Sequence, residues 1–205
     1  AESVTEWSIE SGWTFELGAG AGIGPDYEGS DDYEVSAVPI VDVSWNDRVL
    51  VTTKGGPGIY VTPYRANNFT VDLGVFYDAG RDEDDNDALK GLGDLDVGAV
   101  AVGRLGYDFG LIEAGLEVTQ DLTGDRDGMT VTAELEYGRT FFDDQVHFSI
   151  TPYVTWANGD YMDNSFGISA AQSASSARGL AQHDASSGLK AAGLSIDLGY
   201  SITEN

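Results

Sequence analysis

Residues 33–45 read Tyr-Glu-Val-Ser-Ala-Val-Pro-Ile-Val-Asp-Val-Ser-Trp, and this stretch decides the fold class. Apolar side chains fill every second position from Tyr33 to Trp45, while Glu34 and Asp42 fall on the other phase. Because successive side chains of a strand point to opposite faces, this alternation indicates a β-strand with one apolar and one polar face. Tyr33 and Trp45 close the two ends of the apolar face, as aromatic residues do at the two interfaces of a membrane.

The same alternation returns along most of the chain. In residues 14–23, Phe15, Leu17 and Ile23 share the odd phase, while threonine, glutamate and glycine occupy the even phase. No window reads as a convincing amphipathic helix. The pattern therefore predicts an all-β chain of about ten strands. These strands are residues 14–23, 33–45, 49–54, 59–64, 69–78, 95–107, 111–121, 129–141, 146–156 and 194–202.

The connections between the predicted strands alternate in length. Tight turns at residues 46–48, 108–110 and 142–145 alternate with longer polar loops. Short turns at one end and long loops at the other are the anatomy of an antiparallel up-and-down transmembrane β-barrel. The longest irregular segment, residues 158–188, is a candidate for a ligand- or partner-contacting element, or for a plug in the barrel mouth. The long loops are residues 24–32, 80–94, 121–128 and 158–188.

A soluble β-sandwich also alternates, but three features favour the membrane barrel. The predicted strands run about 10–13 residues, which suits a bilayer crossing better than the ~5–6 residues usual in soluble sheets. The polar phase carries carboxylates, glycine and threonine, not a surface mixture with lysine. Because an open sheet edge leaves unsatisfied backbone groups in hydrocarbon, such a sheet has to close. Aromatic residues also gather near strand ends, at Tyr107, Tyr137, Trp156 and Tyr200.

Composition excludes several classes of function. The 205 residues carry 35 Asp and Glu against 10 Lys and Arg, a net charge of −25 that argues against unaided nucleic-acid binding. With no cysteine, the chain has no disulfide, thiolate metal site or cysteine nucleophile. No stretch approaches the ~18 apolar residues of a transmembrane helix. We expect no cofactor.

The polar phase of the strands predicts an acidic lumen, for which two interpretations stand. The carboxylates are either structural polar filling or a lining that attracts cations and repels anions. Arg104 is the clear basic partner, and we expect it to face Glu113 directly or diagonally. The predicted lumen residues are Glu16, Glu34, Asp42, Asp72, Asp78, Asp96, Arg104, Glu113, Glu117, Glu134, Glu136, His147 and Asp197.

Metal binding and catalysis have little support in the sequence. Asp82, Asp84, Asp85 and Asp87 are weak candidates for a divalent cation, but no EF-hand register fits and a solvated acidic loop is the simpler interpretation. His147 and Ser149 share a face of one strand, where side chains project in parallel and do not converge as a nucleophile and base must. We therefore expect no catalytic site and no enzyme.

Several short motifs at strand ends resemble the MipA/OmpV family of Gram-negative outer-membrane proteins, the MltA-interacting-protein group. The motif positions are Tyr27, Gly29 and Ser30, then Gly80 and Arg81, then Gly91, Gly93 and Asp94. Asp121-Leu122-Thr123-Gly124 and Tyr161 with Phe166-Gly167-Ile168 also fit. The resemblance covers essentially the whole chain.

The resemblance implies a single outer-membrane barrel domain at residues 1–205, with twelve strands in the complete family fold. Residues 201–205 read as the start of a periplasmic turn, so the last two strands are expected to be absent here. The implied function is a scaffold for periplasmic murein hydrolases and synthases. A cation-favouring small-solute pore and a surface adhesin acting through the long loops are the alternatives. The expected location is the outer membrane, with its lipid and lipopolysaccharide as surroundings.

Overall fold

The computed structural model describes residues 3–9, 12–53, 56–123, 127–142 and 145–200. Within them, eleven antiparallel strands follow one another in chain order, and two short helices interrupt the last connection. The elements are β1 (Ser3–Ile9), β2 (Trp13–Pro25), β3 (Tyr33–Trp45), β4 (Val49–Thr52), β5 (Gly58–Ala66), β6 (Phe69–Asp78), β7 (Gly98–Asp108), β8 (Ile112–Asp121), β9 (Met129–Phe141), β10 (Val146–Ala157), α1 (Gly159–Phe166), α2 (Ala170–Ser175) and β11 (Gly188–Tyr200).

Every strand pairs with the next one along the chain. The strand order runs from β1 to β11 without a crossover, which confirms the predicted all-β, up-and-down antiparallel topology. β1 and β11 stand at the two ends of this order, and the sheet is not closed between them in the described residues. Such a meander is consistent with a β-barrel.

The predicted strand count of about ten is one strand short. β1 pairs with β2 from Ser3 opposite Ala19 to Ile9 opposite Trp13. Its seven residues are too few for the alternation to stand out, so the pairing with β2 defines it. Two strand starts differ by three residues or more: β7 begins at Gly98, three residues later than predicted, and β11 begins at Gly188, six residues earlier.

Two short helices lie between β10 and β11, where the sequence has no convincing amphipathic pattern. The Asn158 side chain accepts a hydrogen bond from the Tyr161 amide and caps α1. Ser169 and Gln172 form a capping box at the start of α2. Helices of eight and six residues are too short to show a helical period in the sequence, so their caps are the detectable signal. In the described part of the chain, no helix has both the length and the apolar character needed to span a membrane.

The two faces of the sheet differ as the alternation predicts. The outward face carries large exposed apolar side chains, such as Val35 at 75 % and Leu198 at 67 % exposure. Apolar surface this extensive marks contact with a membrane or another apolar partner. The inward face is not purely polar, because Ile40, Val100 and Val102 are buried on it. These three residues share the phase of the carboxylates, so the pattern alone did not predict an apolar layer there.

Inward-facing glycines make room for large neighbours across the sheet. Gly74 lies opposite Tyr60, and a Cβ at this glycine would stand 2.6 Å from Cδ1 of the tyrosine ring. Gly193 lies opposite Tyr153 in the same relationship, with 2.6 Å from such a Cβ to the tyrosine oxygen. The inward-facing glycines thus leave room for two tyrosine side chains to lie over the neighbouring strands.

A β-bulge in β5 changes which face its last residues use. The register with β6 shifts between Val61 and Tyr64, so Tyr64 pairs with Val71 and Arg65 pairs with Thr70. Without the extra residue, Arg65 would point to the apolar face. With it, Arg65 joins the inward side chains, and Tyr64 packs against Phe69 on the outward face, with ring centroids 6.1 Å apart.

Candidate functional site

An ion pair stands at the centre of the inward face. Strand register places Arg104 between Asp72 on β6 and Glu117 on β8. Its Nε donates a hydrogen bond to Glu117, and its guanidinium lies 5.0 Å from the centroid of the Tyr60 ring. The guanidinium of Arg104 is therefore hydrogen-bonded to one carboxylate, lies opposite a second one, and contacts the face of an aromatic ring.

The expected pairing of Arg104 with Glu113 is wrong. The chain reverses at Gly110 and Leu111, since the Phe109 amide donates to the Ile112 carbonyl at 2.8 Å. This turn pairs Asp108 with Glu113, so Arg104 lies opposite Glu117, which is four residues after Glu113 on β8. Glu113 instead lies opposite Glu136 on the neighbouring strand β9.

Cross-strand threonines satisfy several inward carboxylates. Thr52 donates to Asp42, and Thr62 donates to Asp72 at 2.6 Å. Glu16 lies opposite Asp42, and Asp197 lies opposite Ser149 and accepts a hydrogen bond from Ser195. Asp96 differs from the others because it precedes β7 and does not belong to a strand. The remaining positions are Glu34 opposite Gly24, Asp78 opposite Gly98, Glu134 opposite Gly115, and His147 between Thr140 and Gly199.

A cavity of about 340 Å³ opens on the inward face near the short turns. We call it the turn-side cavity. Its walls carry Asp72, Asp108, Glu113, Glu117 and Glu134, together with Arg65 and Arg104. It is therefore acidic, with two guanidinium groups to balance the carboxylates.

The opposite end of the sheet is covered by three connections that contact one another. We call residues 26–32, 79–97 and 158–187 the loop cap. Its first contact joins Glu28 to Tyr161, whose hydroxyl donates to the carboxylate at 2.9 Å. Lys190 Nζ lies 2.5 Å from the same carboxylate and 4.5 Å from the centroid of the Tyr161 ring. Burial and the neighbouring Glu28 charge raise the pKa of the Tyr161 hydroxyl.

The segment around α2 is fastened to residues 90–92 by three hydrogen bonds. Gln172 Nε2 donates to the Leu92 carbonyl at 2.5 Å, and Ser175 Oγ donates to the Gly91 carbonyl at 2.7 Å. The Ala177 amide donates to the Lys90 carbonyl at 3.0 Å. Gly91 has φ +86°, and a Cβ there would overlap the Ser175 carbonyl oxygen. Only glycine fits this close approach.

Glu83 organises the middle connection, although no sequence pattern distinguishes it from the other acidic residues of this loop. Its carboxylate accepts hydrogen bonds from the amides of Gly91 at 3.0 Å and Gly93 at 2.8 Å. Its own amide donates to the Asp94 carboxylate at 2.8 Å. Glu83 thus contacts Gly91, Gly93 and Asp94, and these contacts give the three motif residues a shared structural role.

The four candidate metal ligands do not converge. The Asp82 amide donates to Asp85 at 3.3 Å, and the Asp84 amide donates to Asp82 at 2.8 Å. Asp87 accepts from Lys90 at 2.7 Å, an exposed pair that lowers the pKa of the aspartate and raises that of the lysine. Among the described residues, no group of three His, Cys, Asp or Glu side chains is placed to hold a metal ion.

The remaining motif residues also lie in the loop cap. Gly29, at φ +91°, leaves space beside the Phe166 ring, and Ser30 accepts from the Asp32 amide at 3.0 Å. The Tyr27 amide donates to the Asp26 carboxylate at 3.1 Å. Gly80 has φ +76°, and a Cβ there would overlap the Leu95 carbonyl; next to it, Arg81 bridges to Leu95 and donates to the Ser165 carbonyl at 3.4 Å. Gly124 and the turn predicted at 201–205 lie outside the described residues.

Beneath the loop cap lies a second cavity, of about 440 Å³. We call it the cap cavity. Five carboxylates line it, and its walls also include the side chains of Tyr27, Tyr161, Arg81 and Asn164. The buried Val100 of the inward apolar layer forms part of its floor. The five carboxylates are Asp26, Glu28, Asp78, Asp85 and Asp121.

The order of these features along the chain agrees with one protein family. A family model described as MltA-interacting protein MipA matches residues 17–205. This chain belongs to the MipA family. Comparisons with curated proteins and with solved structures found no match. The MipA match and the all-β meander are together consistent with an outer-membrane protein.

The MipA match spans every residue of the loop cap and both cavities, whereas β1 precedes it. The resemblance based on the loop motifs is thus confirmed at the level of the family. Sequence reasoning did not select Lys190, Glu83, Arg65 or Tyr60, each of which is central to a contact described above. Of these four, Lys190 could have been selected from the sequence. It is a lysine among apolar and small residues at the start of a strand, and a buried lysine needs an acidic partner.

The two histidines of this MipA protein lie apart from each other. His147 is exposed on β10, near the turn end of the sheet, while His183 pairs through its backbone with Ile168 inside the loop cap. Ser149 is buried two residues from His147, opposite Gly138 and Asp197. The family description names an interaction and not a reaction.

Proposed function

We propose that this MipA-family protein is a non-enzymatic outer-membrane β-barrel, a single domain over residues 1–205, that acts as an interaction scaffold for peptidoglycan-remodelling enzymes. The family match carries the proposal, because the family is described by its interaction with MltA. Two features of the structure support docking at the short turns. The long connections are tied into the loop cap, so the short turns at the other end are the natural periplasmic face.

The turn end offers exposed apolar contact points. Asn46 and Asp47 adopt φ near +50°, as expected of the tight hairpin turns that match strand twist. Phe109 is 67 % exposed and Phe142 is 77 % exposed, each in a short turn, and Leu111 is exposed beside Phe109. Exposed aromatic side chains on short turns are the kind of anchor that contributes most to protein interfaces.

The filled interior favours the scaffold over a channel. Among the described residues, no side chain lines both the cap cavity and the turn-side cavity. Tyr60, Val102 and Ile40 are buried on the inward face, which supports a packed interior in place of a continuous path. A barrel of this size is filled by its own side chains more readily than the wide barrels of porins.

Binding to an MltA-type enzyme tests the scaffold proposal. The full chain in detergent or nanodiscs is immobilised, and the equilibrium binding of the purified murein enzyme is measured. We expect saturable binding, and the double variant F109S/F142S should weaken it by about tenfold or more, as loss of two interface anchors does. Absence of saturable binding to the wild-type chain would contradict the proposal.

A matched control separates docking from general damage. Leu122 is an exposed apolar residue at the loop end, so L122S removes apolar area from the opposite end. This variant should bind within about twofold of wild type. Equal weakening by L122S and F109S/F142S would assign the effect to the membrane anchoring of the barrel and not to a partner surface.

A cation-favouring pore is the second candidate, and the acidic turn-side cavity is the observation that favours it. Single-channel recording in planar bilayers distinguishes the two functions. Discrete steps with strong cation selectivity, reduced in E134Q, would support the pore. A silent bilayer at either polarity would leave the scaffold as the supported function.

A further inference from the structure

The cap cavity has the size and enclosure of a small-molecule site. Its volume of about 440 Å³ falls within the ~300–1,000 Å³ typical of ligand pockets. All three connections of the loop cap contribute to its walls, and their mutual hydrogen bonds hold the enclosure together. Asn86 Nδ2, for example, donates to Asp26 at 2.5 Å and joins the first connection to the second.

One side chain of the protein shows which chemistry the walls accept. The ammonium of Lys190 is held between the Glu28 carboxylate, at 2.5 Å, and the Tyr161 ring, at 4.5 Å from its centroid. Glu28 and Tyr161 both line the cap cavity. The cavity wall thus already binds one primary ammonium through a carboxylate and a cation–π contact.

The rest of the cavity repeats these two elements. Tyr27 supplies a second aromatic ring, and Asp85 and Asp121 supply carboxylates on other sides. Each of these carboxylates accepts protein hydrogen bonds, at Asp85 from the Asp82 amide and at Asp121 from Thr123. A carboxylate has about four acceptor sites, so Asp85 retains capacity for further donors. Against five carboxylates, Arg81 is the one cationic wall residue among the described part of the chain.

We propose that the cap cavity binds a small linear diamine or polyamine, with its ammonium groups on the cavity carboxylates and its methylene chain over Tyr27 and Tyr161. Such a ligand combines ammonium groups with methylenes, and the cavity walls combine carboxylates with two tyrosine rings. This inference goes beyond the scaffold role, since it concerns the opposite end of the barrel.

Calorimetric titration of the full chain in detergent at low salt tests the proposal, with spermidine as the probe. We expect one saturable site per chain, and no heat from 1,6-hexanediol, which has a similar chain but no charge. D85N removes a cavity carboxylate and should weaken spermidine binding by about fivefold, the upper range for one partly solvated charge pair. Near-ultraviolet circular dichroism of D85N checks that the loop cap is intact, and D121N serves as a second variant.

The matched control is D87N, two residues away in the same connection but outside the cavity. It removes one negative charge, as D85N does, and should change the spermidine affinity by less than about twofold. Equal weakening by D85N and D87N would show diffuse attraction to an acidic protein and overturn the proposal. Absence of a saturable site would also overturn it, as would displacement of spermidine by Mg²⁺ at equal concentration of charge, which would assign the cavity to any cation and not to amines.

Discussion

Glu28 and Lys190 form an ion pair of 2.5 Å although they come from opposite ends of the strand order. Glu28 follows β2, the second strand, and Lys190 belongs to β11, the last described strand. A flat sheet of eleven strands, each about 4.8 Å from the next, would hold these residues far apart. The pair therefore shows that the sheet curls round on itself at its loop end, as in a barrel.

Removing this pair should loosen the loop cap. The Lys190 side chain is 19 % exposed and that of Glu28 is 47 % exposed, so the pair is only partly screened by solvent. We expect K190M to destabilise the cap by on the order of 1 kcal/mol, because Glu28 loses its cation and Tyr161 loses its cation–π partner. Limited proteolysis within residues 158–187 measures this as faster cleavage. K90M is the control, because the ion pair of Lys90 with Asp87 is exposed. If K90M is cleaved as fast as K190M, the role given to the Glu28–Lys190 pair is contradicted.

Gly91 and Gly93 provide a matched test of the close approach to α2. Both have positive φ, +86° and +78°, so alanine at either position costs about 1–2 kcal/mol of backbone strain. Only at Gly91 would the added Cβ also overlap the Ser175 carbonyl, whereas at Gly93 nothing lies within 4 Å. G91A should therefore increase hydrogen exchange in α2 while G93A leaves it unchanged. Equal hydrogen exchange of α2 in G91A and G93A would exclude a steric clash between position 91 and Ser175.

The pKa of Asp26 reports the contact between two loop-cap connections. Hydrogen bonds from the Ser30 and Asn86 side chains lower this pKa from its ordinary value of 3.8. A lowered carboxyl pKa stabilises the folded cap at all pH values above the unfolded pKa, and this contribution is lost as pH falls through the folded pKa. N86A should raise the pKa of Asp26 toward 3.8, measured by carbon NMR of the labelled carboxyl. An unchanged pKa in N86A would show that the contact does not exist in solution.

Gly74 tests the packing of the inward face. A Cβ at Gly74 would meet the Tyr60 ring at 2.6 Å and the Ile59 carbonyl at 2.7 Å, whereas at Gly103 the nearest atom, from Leu73, is 3.7 Å away. G74A should cost about 1–3 kcal/mol of unfolding free energy through overpacking, measured by urea denaturation in lipid. G103A should be neutral or slightly stabilising, by ~0.5 kcal/mol, since alanine restricts the unfolded chain. Similar costs for the two would argue against Tyr60 lying over Gly74.

The sequence predicted the sheet because alternation is a local property. In β3, every outward residue from Tyr33 to Trp45 could be assigned from its position alone, and the structure confirms the strand bounds. Register is not local: the partner of Arg104 depends on where the chain turns after Asp108. A turn at Gly110 and Leu111 places Glu117, and not Glu113, opposite Arg104. Arg65 changed faces for a similar reason, since a bulge cannot be detected from alternation.

The loop cap was less predictable than the sheet. Its glycines and tyrosines were recognised as family motifs, but their contacts join segments far apart in the chain, such as Gly29 with Phe166 and Gly91 with Ser175. α1 and α2 are too short to produce a hydrophobic period, and they are held by caps and tertiary hydrogen bonds. Such contacts depend on the folded chain and have no signature within one segment.

Site-specific photo-crosslinking in living cells tests the scaffold account most directly. A photoreactive residue is placed at Leu111, in the turn between β7 and β8, or at Leu122, at the loop end of β8. The account predicts that the Leu111 position crosslinks to an MltA-type murein enzyme and that the Leu122 position does not. No crosslink from Leu111, or an equal yield from both positions, would contradict a partner surface at the turn end.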